Sequence, residues 1–266
     1  MGRRLLAGHA LLVYAFLYAP IAVIVLYAFN AGRQTLNWEG FSTRWFGEAL
    51  RDDAVTGAVR NSLLVAAGTA LVACVLGTLL ALALPRMWRG IRVPLDALVT
   101  MTLVTPEIVF GVAALVFFTE VGLTLGLKTI LVAHVVFNAS VVALVVRARF
   151  VGMGHELEEA SLDLGAGPIA TFRQVTLPRL APAILAGGLL SFTFSFDDFY
   201  TSFFVSGAGT TTLPLYIFSS LRFGISPVVN VVAVFVLLLT AAAILLASLV
   251  LRRSGGRAGG VLPGVR

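Results

Sequence analysis

The sequence predicts an all-α integral membrane protein with six transmembrane helices. Three observations lead there. Hydrophobic residues make up 59% of the 266-residue chain, charged residues make up only 12%, and the charges gather between long apolar runs. Soluble domains carry roughly 25% charged residues, so this balance excludes that class. Crossing roughly 30 Å of hydrocarbon takes about 20 apolar residues in a helix. A lone span can satisfy its backbone hydrogen bonds in lipid only in that form.

Six segments meet the length test, at about 9–29, 61–84, 95–118, 129–146, 183–205 and 228–250. The first follows Arg3 and Arg4 and looks like a secretory leader. No small-x-small cleavage site follows it and the run is long enough to span, so it is expected to stay as an uncleaved helix. The connection 30–60 carries Trp38, Gly40, Phe41, Trp45 and Phe46 among its charges. Those aromatics suit either an interfacial belt or a docking surface for a partner outside the membrane. Residues 85–94 form a basic turn closed by Pro85 and Pro94, and 119–128 a short connection. In the longer connection 206–227, Leu213, Ile217 and Leu221 at helical spacing predict a short surface helix. The fourth span is the shortest and polar residues interrupt the fifth. Cys74 lies mid-span as a small packing residue and has no disulfide partner in the chain. The Gly- and Arg-containing tail 254–266 is expected to be disordered. The whole is expected to be one membrane domain, 1–266.

Arginine placement sets the orientation. With the N-terminus inside, Arg3, Arg4, Arg86, Arg89, Arg92, Arg147, Arg149, Arg173, Arg179, Arg252, Arg253, Arg257 and Arg266 all fall on the cytosolic side. Only Arg33, Arg44, Arg51, Arg60, Lys128 and Arg222 fall outside. The positive-inside rule therefore puts both termini and the segment 147–182 in the cytosol. The net charge of +6 is explained by these flanking arginines, so it does not point to a nucleic-acid partner.

The cytosolic segment 147–182 has its own design. Residues 156–165 predict a short amphipathic helix, with Leu157, Ala160, Ser161 and Leu164 forming a small-to-apolar stripe at i, i+3, i+4 and i+7. Glu156, Glu159 and Asp163 form an acidic second face, with Glu158 beside it. Gly165 and Gly167 stop the helix, and Pro168 opens a second segment, 169–177, anchored by Pro178 and Pro182 at the fifth span. A helix resting on anionic lipid would carry Lys and Arg on its polar face. No such residue occurs between Arg149 and Arg173, whereas four acids do. A protein partner suits this face, and the helix–bend–helix would act as a lever on the fifth span.

Three acids are predicted to lie within the membrane, where a mid-span charge costs about 2.5–3.5 kcal/mol and so marks a pathway. Asp197 and Asp198 lie in the fifth span and Glu107 in the third, at similar depth from the cytosolic side. Neighbouring helical residues point about 100° apart. Asp198 shares a stripe with Ser191, Ser195 and Ser202, and Asp197 shares one with Thr193 and Thr201. One stripe is expected to line a passage while the other pairs with a neighbour, and the tighter polar clustering favours Asp198. Aromatic residues around the acids suit an ammonium group. Two catalytic look-alikes fail. Gly122 to Thr129 lacks the second glycine of a phosphate-binding loop, and His155-Glu156 has Glu159 where a second zinc-binding histidine is required. No enzymatic, metal or cofactor site is expected in this chain.

Glu158-Glu159-Ala160-Ser161-Leu162-Asp163-Leu164-Gly165, with Val175-Thr176-Leu177-Pro178 ten residues on, resembles the EAA loop of ABC importer permeases. Ser161 stands where that family usually has a second Ala. The loop covers only part of the chain. Other landmarks spread along it: Trp38-Glu-Gly-Phe-Ser42 with Trp45, Thr105-Pro-Glu-Ile108, Ser-Phe-Asp197-Asp198-Phe, Phe204-Val-Ser-Gly207, Thr211-Thr-Leu-Pro214 and Gly224-Ile-Ser-Pro227-Val-Val-Asn230. These resemble spermidine/putrescine permeases of the PotC type. The resemblance implies the MetI-like transmembrane fold of type I importers in a bacterial inner membrane. It also implies a second, related permease, two ATPase subunits that bind ATP and Mg, and a periplasmic or extracellular binding protein delivering a small cation. Glu158, Glu159, Ala160, Ser161, Asp163, Gly165, Leu177 and Pro178 would then meet the ATPase, and Glu107, Asp197 and Asp198 would line the substrate path. Another amine, an opine-like compound or ferric iron remains open as cargo. An ion-coupled secondary transporter is the alternative class.

Overall fold

The computed structural model describes residues 2–33, 37–154, 156–223 and 226–255. His155 and residues 256–266 of the tail lie outside the described residues, as do Gly224 and Ile225. Every regular element among the described residues is a helix, apart from one isolated bridge between Asn30 and Phe41. In chain order these are α1 (Gly2–Ala28), α2 (Arg44–Arg51), α3 (Asp53–Ala83), α4 (Arg89–Val104), α5 (Glu107–Glu120) and α6 (Leu127–Val151). Then follow α7 (Glu156–Asp163), α8 (Pro168–Thr171), α9 (Leu177–Asp197), α10 (Tyr200–Val205), α11 (Leu213–Phe223) and α12 (Pro227–Gly255). A 3₁₀ turn follows α3, and a π-helical turn at Phe172–Thr176 joins α8 to α9.

Among the described residues four helical runs are long and apolar enough to cross a membrane, and a fifth counts if a bent pair is one crossing. The expected third span is broken: α4 and α5 meet at 114°. The cause is Thr105-Pro106. The residue before a proline is driven out of the helical region, Thr105 is extended at ψ 129, and Pro106 has no N–H to continue the ladder. The fifth expected span breaks too, where Asp198 is extended at φ −67, ψ 117 between α9 and α10. The basic turn expected at 85–94 is mostly the start of α4. Its Arg92 and the Arg147 of α6 both reach Asp96, Arg92 at 3.5 Å. The sixth run is apolar over Pro227–Ala241 and continues as helix to Gly255.

The helices pack as two compact units. The first comprises the chain up to Thr56 together with the part from Ile217 onward. In it α1 and α2 both pack on α12. Its connection is braced from within: the fully buried Asn30 accepts from Glu39 N at 2.9 Å and donates to the Asn37 carbonyl at 2.7 Å, and its own carbonyl takes the Trp45 indole N–H at 2.8 Å. Phe29 stacks on Phe41 and lies against Phe46, which meets Phe235 edge-on. Trp45 and Phe46 are thus packing residues, whereas Trp38 and Phe41 remain exposed.

The second unit, Gly57–Tyr216, is centred on α6. That helix packs along α9 and also touches α4, α5 and α10. Val142 and Val146 of α6 are wholly buried with Ala73, Ala81 and Leu180. Small residues permit the approach, as membrane helices require when lipid is as apolar as the side chains. A Cβ on Gly77 would lie 2.6 Å from the Val142 Cβ and 2.7 Å from the Ala139 carbonyl oxygen. Gly77→Ala is therefore expected to destabilise by about 1–3 kcal/mol through overpacking. In detergent this should lower the midpoint of thermal unfolding by ~3–10 °C, and an unchanged midpoint would contradict the packing. Cys74 sits in the same seam, with its thiol 3.6 Å from the Ile184 carbonyl.

Candidate functional site

Both helix breaks open onto one cavity of about 350 Å³. Glu107 reaches it from the first turn of α5, straight after Pro106, while Asp197 ends α9 and Asp198 follows in the extended link. The structure thus brings together all three acids singled out in the sequence. Phe110, Phe137, Phe194 and Tyr200 contribute aromatic walls, and His134 and Asn138 of α6 contribute polar lining.

The two aspartates have different surroundings. Asp198 accepts from Thr201 N and Ser202 N, each at 3.2 Å, and so caps α10. Its Oδ2 also lies 2.7 Å from His134 Nε2, and its side chain is 12% exposed. An ionised carboxylate only accepts, so Nε2 carries the hydrogen of that contact. Ser195 Oγ lies 2.7 Å from Nδ1. The stripe of Ser191, Ser195 and Ser202 expected to line the passage is instead buried, because those hydroxyls sit in the packed face beside α6. Asp197 and Thr193 are exposed to the cavity. Both aspartates line the cavity, and the Asp198 carboxylate also serves as helix cap and imidazole acceptor.

His134 and Asn138 escaped the sequence reading. Both are buried, Asn138 donates to the His134 carbonyl at 2.9 Å, and its Oδ1 is buried without a hydrogen-bond partner. Two polar residues at i and i+4 in a mostly apolar span were the available signal, since burial of such groups in lipid is costly without a shared purpose.

The second candidate region is the segment after α6. α7 ends in a Schellman motif: Gly165 N donates to Leu162 O at 2.9 Å and Ala166 N to Ser161 O at 3.1 Å, with Gly165 at φ +86. Pro168 then starts α8, and the π-helical turn delivers the chain to Leu177 and Pro178 at the head of α9. Side chains fold α7 back on this run. Thr176 Oγ1 donates to Glu158 Oε1 at 2.5 Å, Ser161 Oγ lies 3.0 Å from Thr171 Oγ1, and Arg179 donates to the Met153 carbonyl at 3.0 Å. Ser161, the departure from the usual Ala, therefore makes a contact that Ala lacks. Leu157, Ala160, Ser161 and Leu164 line one side of an open groove of about 450 Å³, with Val175, Pro178 and Arg179 opposite. Glu159 and Asp163 are exposed, and Leu164 is 89% exposed.

The family described as binding-protein-dependent transport system inner membrane component matches residues 73–255, which include both regions. The chain belongs to that family. The permease is 42% identical over 235 residues to the putrescine transport system permease protein PotI of Escherichia coli (strain K12), covering 85% of this chain and 83% of that one. It is 35% identical over 263 residues to the spermidine/putrescine transport system permease protein PotC of the same strain, covering 98% and 99%. The PotC protein of Haemophilus influenzae (strain ATCC 51907 / DSM 11121 / KW20 / Rd) is 37% identical over 243 residues, covering 91% and 94%. Among solved structures, a bacterial ABC transporter that imports the acidic polysaccharide alginate matches with a TM-score of 0.75 at 15% identity, covering 94% of each chain. The MetNI methionine transporter matches with a TM-score of 0.64 at 20% identity, covering 80% of this chain and 99% of that one. At those identities the likeness is one of fold, and the fold is the MetI-like permease fold. The permease is a multi-pass inner-membrane subunit of an ABC importer, working with an ATPase and a substrate-binding protein, and its family forms passages rather than enzymes.

Proposed function

We infer that this permease imports a polyamine of the putrescine or spermidine kind. The observation that carries the reading is the convergence of Glu107, Asp197 and Asp198 on one aromatic-walled cavity at the two helix breaks. Carboxylates beside aromatic faces suit alkylammonium groups. The names of the PotI and PotC relatives agree with that chemistry. The assembly pairs this chain with a sister permease and two ATPase subunits that bind ATP and Mg, with a binding protein on the outer face. Both termini and α7 lie on the cytosolic side, following the arginine bias. Glu159, Asp163 and the apolar groove beside them seat the ATPase, Glu158 and Ser161 hold α7 in place, and the run through Gly165, Leu177 and Pro178 carries the displacement into α9.

The assembled complex in proteoliposomes tests this. ATP hydrolysis is expected to rise several-fold when the binding protein arrives loaded with putrescine, and putrescine uptake is expected to persist when the proton gradient is collapsed. Uptake that vanishes with the gradient while ATP stays high would instead indicate an ion-coupled carrier.

A further inference from the structure

The helical run that leaves the coupling segment ends at the cavity. From Pro168 to Asp197 it extends over 30 residues, about 45 Å at 1.5 Å per residue. Near its start, Thr171 and Thr176 hold α7 through Ser161 and Glu158. At its far end, one side chain from α6 holds the break. His134 Nδ1 lies 2.7 Å from Ser195 Oγ in the last turn of α9, and Nε2 lies 2.7 Å from Asp198 Oδ2 in the link. Ser202 Oγ in the first turn of α10 lies 3.2 Å from the same Nε2. Three elements meet on one imidazole that is only 3% exposed.

The geometry makes a movable joint rigid. Asp198 is extended, so no continuous helical ladder ties α9 to α10. The Asp198 carboxylate caps α10 from one side and takes His134 Nε2 from the other. Removing the imidazole leaves the cap and the packing of α9 on α6 but takes away the hydrogen bonds that join the end of α9, the link and α10 to one side chain. A displacement of α9 would then reach α10 without the hydrogen bonds that tie both to α6. A buried histidine with both ring nitrogens engaged across three elements has a cost in lipid that an apolar side chain would avoid.

We propose that His134 is the positioning residue of the transport step, transmitting displacement of α9 to α10 and to the carboxylates of the cavity. The proposal rests on the importer reading above. It gives α6 a second role beside packing: the helix serves as the fixed post against which the coupling lever works. Cargo contact belongs to the cavity carboxylates, so His134 acts through Ser195, Asp198 and Ser202.

The test uses the full complex in proteoliposomes, with His134→Leu and His134→Gln at matched membrane levels. Glutamine keeps one donor for Asp198 and one acceptor for Ser195, whereas leucine keeps neither. Putrescine moved per ATP hydrolysed is expected to fall at least fivefold in His134→Leu and to stay within about twofold of wild type in His134→Gln. Uptake and hydrolysis falling in step in His134→Leu would overturn the proposal, as would an unchanged ratio. If the leucine variant fails to assemble, the glutamine variant decides alone, and a fivefold loss of its ratio defeats the assignment. A readout independent of cargo separates this claim from the polyamine one. Hydrogen exchange of the 198–205 amides is expected to change on nucleotide binding in wild type and not in a variant lacking the latch. If wild type carries no putrescine yet shows that nucleotide response, the cargo reading fails while the latch stands. If the response persists in His134→Leu, the latch fails whatever the cargo.

Discussion

Asparagine at position 197 is expected to lower putrescine uptake at least tenfold at matched membrane levels. Asp197 ends α9 exposed to the cavity, opposite no capping duty of the kind that occupies Asp198. A hydrogen bond to a charged partner contributes about 1.5–3 kcal/mol. At 1.36 kcal/mol per decade, its loss corresponds to about 10–150-fold. Asparagine has nearly the same shape, so the change removes charge without altering packing. Asp198→Asn should act by another route. The amide retains one acceptor but turns a donor either toward Thr201 N or toward Ser202 N and His134 Nε2 together, all of which donate. Its cost of about 0.5–2 kcal/mol falls on the α10 cap, and hydrogen exchange at Thr201 and Ser202 would reveal it. Uptake by Asp197→Asn within twofold of wild type would remove this residue from the passage.

These contrasting roles show which physics a linear sequence makes visible. The family was legible because the acidic helix, its glycine stop and the Leu177-Pro178 pair are a local pattern, readable without knowing what lies beside it. Apolar run length likewise gave the all-helical membrane class. The break in the third span was not legible from hydropathy. Averaging over residues 95–118 hides Thr105-Pro106, although proline chemistry at that step was sufficient reason to break the helix. The surroundings that distinguish Asp197 from Asp198 were not legible for a different reason. A polar stripe within one helix signals either a passage or a packed polar seam, and only the neighbour decides. Here the neighbour is α6, which supplies His134 to the serine stripe. Ser161 shows the same limit: its partner Thr171 lies across the Gly165 bend, so the residue read as a small replacement makes a specific contact.

Valine at position 165 is expected to abolish most of the hydrolysis stimulated by the loaded binding protein, a loss of about tenfold, although the subunit still reaches the membrane. Gly165 sits at φ +86, a conformation that L side chains adopt at a cost of about 1–2 kcal/mol. A β-branched residue suits it least. Among the described residues, no atom beyond its chain neighbours lies within 4 Å of where its Cβ would be, so crowding is not the obstacle and the backbone conformation is. Without the left-handed residue, the Gly165 N–H to Leu162 and Ala166 N–H to Ser161 hydrogen bonds open. α7 then cannot fold back to place Glu158 on Thr176 and Ser161 on Thr171. The long helical run into the cavity would remain, but the handle that moves it would no longer be held at a fixed angle. Asparagine tolerates the same backbone region, so Gly165→Asn should retain at least half of the stimulated rate. Comparing the two variants in the reconstituted complex isolates conformation from size. Equal rates for valine and asparagine would mean that the turn at Gly165 does not set the coupling geometry.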